Sequence, residues 1–386
     1  MEQKTNCILF ALLRSAITGT QLTEETQTLF STEALPTLIK IADAHSVAHL
    51  LILGLKQNGL MPEENPEMEK QLLKVVFQYE RMHREYEKLC GILENAQIPF
   101  LPLKGSVLRK YYPEPWMRTS CDVDILVKPE DSQRTADLLI AEHGYSFWEK
   151  SSHDIAMRTP GKFRFELHYD LIEDGVINQS AKIFRSVWDT AVCRPGTAYW
   201  YEMTDEMFYF YHIAHMAKHF TEGGCGIRSF LDLWLLDTIK QADTQKRNVL
   251  LQEGGLLPFA EGARKLSRVW FGGEEHTTLT RQMEAFILQG GTFGSIKTMV
   301  TIQQQKKGGR LKYLLPKIFL PYEIIKDHYP ILKKHPWLTP VMEVRRWGKL
   351  IFCGHLKRTA KEIQYNSQLS NEDANNAYHL LKELGL

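Results

Sequence analysis

Few hexapeptides leave a chain less freedom than Asp122-Val123-Asp124-Ile125-Leu126-Val127. Side chains alternate along a strand, so Val123, Ile125 and Val127 bury on one face while Asp122, Asp124 and Leu126 take the other. Two carboxylates spaced i, i+2 then point the same way, a few Å apart. Like charges that close repel, and a shared proton or a bound cation relieves them. A hard cation such as Mg²⁺ or Mn²⁺ prefers oxygen ligands and is commonly completed by substrate phosphates, so the pair suits a metal-nucleotide site. The plainer alternative is a solvated Asp-x-Asp edge strand.

Two neighbouring stretches bear on that choice. Upstream, Ile98 to Leu103 reads as a strand, Lys104-Gly105-Ser106 as a tight turn, and Val107 to Tyr112 as the start of a helix. Free backbone N–H groups, the Ser106 hydroxyl and the Lys104 ammonium would then face an anion, and Gly105 would let the backbone approach a phosphate closely. Downstream, Pro160-Gly161-Lys162 turns into an alternating run. Phe163, Phe165, Leu167 and Tyr169 face one way; Arg164, Glu166, His168 and Asp170 face the other. This polar face is either solvent-exposed or joins the sheet beside Asp122 and Asp124.

The order strand, Gly-Ser turn, helix, Asp-x-Asp strand resembles the signature of the polymerase beta-like nucleotidyltransferase superfamily. More narrowly, Leu103-Lys104-Gly105, then Arg118, then Asp122 to Val127 looks like a bacterial branch known only as uncharacterised nucleotidyltransferases. Cys121 stands where the superfamily often has Ser, with Ser120 just before it. The likeness spans roughly residues 95 to 235. It implies an α+β fold with a small mixed-sheet core flanked by N-terminal and C-terminal helical regions, Mg²⁺ or Mn²⁺ on Asp122 and Asp124, and a nucleoside triphosphate such as ATP held by Lys104, Gly105 and Ser106. It favours Glu166, in its Glu-Leu-His setting, as a third metal-binding and catalytic carboxylate. His168 would orient it, and Asp170 is held in reserve.

The histidine and arginine pattern further on is read more loosely. His212, His215 and His219 share one helical face, which suits packing, substrate contact or zinc. Arg228 and Asp232 sit one turn apart, as a simple ion pair would. Yet His215-x3-His219, a glycine turn and Arg228-x3-Asp232 also look like the helical part of the same branch. This implies that the region closes over the nucleotide, with His219 and Arg228 neutralising phosphate. Arg118 either clamps Asp122 or contacts phosphate. The function so implied is transfer of a nucleoside monophosphate to an acceptor hydroxyl with release of pyrophosphate. Small molecule, sugar, RNA and protein acceptors stay open, and so does the alternative of a non-catalytic nucleotide- or partner-binding module on the same fold.

Composition adds bounds rather than answers. The 386 residues suffice for two or three domains, expected as a helical region 1–95, a catalytic core 96–200 and a helical region 201–386. Within the first, a long helix from about Glu67 to Asn95 carries the stripe Leu72, Val75, Val76, Tyr79, Met82. The 47 basic and 46 acidic residues leave a formal net charge of +1, which gives no bulk signal for nucleic acid. Basic runs at 305–313 and around Arg345, Arg346, Lys349, Lys357 and Arg358 are the local exceptions. Six cysteines without a CxxC pair fit reduced thiols. No apolar run approaches the ~18 residues of a membrane span, so a cytoplasmic protein is expected.

Overall fold

The computed structural model describes residues 2–61, 65–172, 178–239, 243–292, 299–300, 302–304, 310–352 and 371–386. Helices α1 (Glu2–Thr18), α2 (Glu24–Gln27), α3 (Leu35–Ala44) and α4 (Ala48–Gln57) lead into the long α5 (Pro66–Asn95). The central segment runs β1 (Phe100–Pro102), α6 (Lys104–Leu108), β2 (Asp122–Val127), α7 (Ser132–His143), β3 (Ser146–Lys150), β4 (Asp154–Arg158) and β5 (Arg164–His168). After α8 (Asn178–Phe184), α9 (Val187–Thr190), β6 (Val192–Cys193) and β7 (Tyr201–Glu202) come α10 (Asp205–Glu222), α11 (Ile227–Ile239), α12 (Thr244–Glu253), α13 (Leu257–Gly272) and α14 (Thr278–Leu288). The described C-terminal helices are Arg310–Ile318, Tyr322–His328, Thr339–Phe352 and Asn371–Glu383.

The α5 helix starts where its capping chemistry says it should. The Asn65 side chain accepts from the Met68 amide, Pro66 takes the first turn, and Glu67 and Glu69 meet the positive end of the helix dipole. The expected stripe from Leu72 to Tyr79 is only half-buried, however. The deeply buried face begins at Met82 and continues through Tyr86, Leu89, Cys90 and Leu93, because only that half lies against the sheet.

The five-stranded sheet has the order β1-β2-β5-β4-β3. Its pairs are antiparallel except β2 with β5, which are parallel and set Asp122 opposite Arg164 and Asp124 opposite Glu166. The alternation read from the sequence sorts the sheet into two faces. Val123, Ile125, Val127, Phe165 and Leu167 pack with Met82, Leu89 and Leu93 of α5 and Leu139 of α7. On the other face Leu101, Leu103 and Leu126 join a larger cluster built by the helices.

That larger cluster draws on both ends of the chain. Leu9 and Leu12 of α1 meet Phe230 of α11, Trp270 of α13 and Leu384, and the rings of Phe10 and Trp270 stack at 4.3 Å. A Cβ on Gly54 would lie 2.3 Å from the Leu12 carbonyl oxygen, so glycine is what lets α1 and α4 cross this closely. The helices before and after the sheet therefore share one core. No described helix is long and apolar enough to cross a membrane. Of the basic runs, 305–309 and Lys357 and Arg358 lie outside the described residues; Arg345, Arg346 and Lys349 lie on the helix Thr339–Phe352.

Candidate active site

The site is built where β1 turns back over β2. The Leu103 amide donates to the Asp124 carbonyl at 3.0 Å, and Lys104 follows in the left-handed region at φ 42°. A side chain rarely adopts that conformation without something to hold it. Here it brings Lys104 Nζ to 3.2 Å from Asp124 Oδ1. The strained position is thus the lysine and not the glycine. Gly105 is buried, and a Cβ there would meet the Ser120 Cβ at 3.3 Å and Arg118 Nη1 at 3.6 Å. Its lack of a side chain admits the strand-leading loop rather than opening the backbone to a phosphate. Ser106 lines a cavity of about 760 Å³ with Tyr86, Glu87, Lys110 and Trp200, and neither aspartate belongs to that lining. With only five residues in α6, and the Ser106 amide already donating to Leu103 O at 3.2 Å, the expected anion cradle is smaller than the sequence suggested.

The carboxylates meet through the parallel register. His168 Nε2 lies 3.1 Å from Asp124 Oδ1 and 3.5 Å from Glu166 Oε2, and Arg164 reaches Glu166 Oε1 at 2.7 Å. Burial alone would raise the Asp124 carboxyl, but Lys104 and His168 hold it well below the usual range. His168 shows the converse. Burial would lower it, and its hydrogen bonds to Asp124 and Glu166 raise it to about 9. Half-buried Asp122 is pushed up, first by burial and then by the charge of Asp124.

Among the described residues, Asp124, Glu166 and His168 form one group able to hold a metal, their ligand atoms lying within 4.8 Å of one another. The sequence named Asp122 where this cluster has His168. Asp122 stands beside the trio, close enough for Asp124, Lys104, Glu166 and Arg228 all to act on its charge. Three carboxylates gathered at one strand end, with Lys104, His168 and the half-exposed Arg164 around them, offer the oxygen ligands that a divalent cation prefers. The reserve candidate Asp170 lies beyond β5, exposed, with its carboxylate accepting from the Ile172 amide at 2.9 Å.

A second ionic group sits just ahead of β2. Arg118 Nε donates to both oxygens of Asp232, at 2.8 and 3.0 Å, and the Tyr112 hydroxyl donates to the same carboxylate at 2.8 Å. Arg228 donates instead to the Thr119 carbonyl at 2.9 Å. So Asp232, expected to pair along its own helix, is taken by Arg118, and Arg118 clamps Asp232 where the sequence offered Asp122. The loop carrying these groups is further held by His49 Nε2 against the Met117 carbonyl at 2.7 Å.

With this geometry in view, sequence comparison is decisive: the model of a family described as uncharacterised nucleotidyltransferase matches residues 31–272. The chain belongs to that family. No curated protein and no solved structure matches it. Membership in the uncharacterised nucleotidyltransferase family points to nucleotidyl transfer as the general role and to a nucleotide as substrate.

The three histidines of α10 part company. His212 turns to the Ser229 carbonyl of α11 at 3.2 Å, while His215 and His219 approach each other at 3.1 Å between Nε2 atoms. They do not form a metal-binding trio among the described residues. Burial and then Lys104 push His215 well below its ordinary value, so His215 lies within the field of the carboxylate pocket. Arg109 and His49 went unread in the sequence. Arg109 is 6% exposed, donates from Nε to the Arg118 carbonyl at 3.2 Å and bonds the Ser120 hydroxyl. Its setting, Leu108-Arg109-Lys110-Tyr111-Tyr112, reads locally as an amphipathic helix, and only the loop folding back over it buries it.

Proposed function

We propose that this nucleotidyltransferase family member moves a nucleoside monophosphate from a nucleoside triphosphate, ATP among the candidates, to an acceptor hydroxyl and releases pyrophosphate. The observation that carries this reading is the register that sets Glu166 opposite Asp124, with Asp122 and Lys104 at the same strand end. Asp122, Asp124 and Glu166 would hold Mg²⁺ or Mn²⁺. When bound, the metal would neutralise phosphate charge and polarise the reacting phosphoryl group.

Every other part of the work falls to the chain. Glu166 accepts the proton of the attacking hydroxyl, and His168 keeps both Asp124 and Glu166 oriented. The acceptor oxygen forms its bond to the α-phosphorus as the bond to the pyrophosphate oxygen breaks. Lys104 and Arg228, with His219 nearby, offset the charge of the phosphates; Arg118 acts by fixing the loop, and Gly105 by letting that loop pack. Catalysis rests mainly on positioning and charge.

One observation favours the second reading, a non-catalytic binding module. The Lys104 ammonium already sits 3.2 Å from Asp124, so the pocket is partly neutralised by the chain itself. Incubation with each α-labelled ribonucleotide and Mg²⁺, beside an Asp122→Ala/Asp124→Ala double variant, separates the two. Label transfer and pyrophosphate release that the double variant loses support the enzyme. Metal-independent nucleotide binding without transfer to the protein or to a cell extract supports the module.

A further inference from the structure

Beside the carboxylate pocket lies a cavity of about 220 Å³, between α5 and the loop that leads into β2. Its lining includes Arg109, Arg228, His49, Ser120, Tyr79 and Gln78. Arg109 is almost wholly enclosed, with its guanidinium 5.5 Å from the centre of the Tyr79 ring. Among the described residues neither Arg109 nor Arg228 has a carboxylate within ion-pair distance; Asp232 is occupied by Arg118 and Tyr112, and Asp122 acts on both guanidiniums only as a more distant charge. The Nε of Arg228 is buried with no partner at all. Asp43, the single acidic residue on the wall, accepts from Gln71 at 3.4 Å.

Two guanidiniums, Arg109 buried and Arg228 half-buried, with no carboxylate in direct contact are costly to maintain, and an anion is what relieves them. We infer that this cavity is a binding site for a phosphoryl or pyrophosphoryl anion, held by Arg109 and Arg228 and independent of the metal carboxylates. A guanidinium N–H bonds a phosphate oxygen strongly; with Arg109 Nε on the Arg118 carbonyl and Nη2 on the Ser120 hydroxyl, Arg109 is fixed in place and its Nη1 is left to donate. The volume admits a phosphate or a pyrophosphate but not a whole nucleotide. The anion is therefore either the outer phosphates of the nucleotide or a phosphate carried by the acceptor. Both sources rest on the proposed transfer reaction; the anion site itself does not.

The test is calorimetric titration of the full chain with inorganic pyrophosphate and with inorganic phosphate, in EDTA, so that metal-carboxylate binding contributes nothing. Pyrophosphate is expected to bind the wild type and to bind Arg228→Gln at least tenfold more weakly. Since Arg109 also braces the loop, Gln78→Glu serves as the second variant. Gln78 is exposed on α5, and a carboxylate there should weaken pyrophosphate binding several-fold with the circular dichroism unchanged. No binding to the wild type in EDTA, or equal binding to all three proteins, overturns the site whether or not the protein transfers nucleotides. Competition by a non-hydrolysable nucleoside triphosphate assigns the cavity to the nucleotide, and simultaneous binding assigns it to the acceptor.

Discussion

Two buried ionic groups flank the start of β2, and they are out of balance in opposite senses. In the first, Asp122, Asp124 and Glu166 outnumber the enclosed cations Lys104 and His168, with only the half-exposed Arg164 reaching Glu166 from the rim. In the second, Arg109, Arg118 and Arg228 outnumber Asp232. Burial and the neighbouring Arg118 lower both Arg109 and Arg228 to about 10, the mark of cations that the fold has not fully compensated. Either group alone would look like a structural fault. Side by side they complement a metal-polyphosphate, which would bring a cation to one and anions to the other. The contrast teaches that the second group is anchored by one fully buried pair, Arg118 with Asp232, whereas the first shares its carboxylates among Lys104, His168 and the half-exposed Arg164.

The contrast can be broken most forcefully at Asp124. Asp124→Asn removes the negative charge shared by Lys104 and His168 and should lower label transfer at least about 10³-fold, measured at saturating nucleotide and metal. Breaking the structural pair is next. Asp232→Ala strands a buried guanidinium and should cost about 3–5 kcal/mol of stability, read as a lower urea midpoint; a loss below ~1 kcal/mol would make the Arg118–Asp232 pair no more than a surface one.

The arginine group also predicts a pH effect. Burial, with Arg228 and Arg118 adding to it, lowers His49 to about 4. Between pH 6.5 and 4 the unfolded chain therefore takes up the proton that the folded chain refuses. Stability should fall with pH through that window, by about 1–2 kcal/mol for this residue between pH 7 and 5. A His49→Gln variant should show a correspondingly flatter profile in urea melts at the two pH values. The smallest effect belongs to Asp122. Its carboxyl is pushed up by burial and by Asp124, so Asp122→Asn should raise the melting temperature slightly while activity drops. Unchanged or lower stability would mean that the three carboxylates are not in mutual strain.

The carboxylate side was legible because its information is local. Two runs with period-two alternation, 122–127 and 163–170, set the faces and offered the pairing as one of two alternatives, and the structure pairs Asp122–Leu126 with Arg164–His168 in parallel. The arginine side was not, because nothing local specifies it. Arg118 and Asp232 lie 114 positions apart and meet only through the packing of α11 on the loop. Arg109 looks like a surface residue until that loop covers it. The surroundings of Gly105 and Ser106 were not legible for a related reason: a short motif names the residues of a turn, but what each residue faces depends on what packs against it, here Ser120 for one and α5 for the other. The histidines of α10 share a face in projection, yet the neighbouring α11 draws His212 away.

The single parallel pairing in the sheet has a kinetic consequence. Antiparallel strands β4 and β5 join through a short turn, but β2 and β5 must find each other across α7 and the β3–β4 hairpin, so loop-closure entropy is spent before that contact forms. The same event brings Asp124 and Glu166 together, against their mutual repulsion. Assembly of the carboxylate pocket is thus tied to the most non-local step of the sheet's folding, and divalent cations in the refolding buffer should speed that step rather than merely stabilise its product.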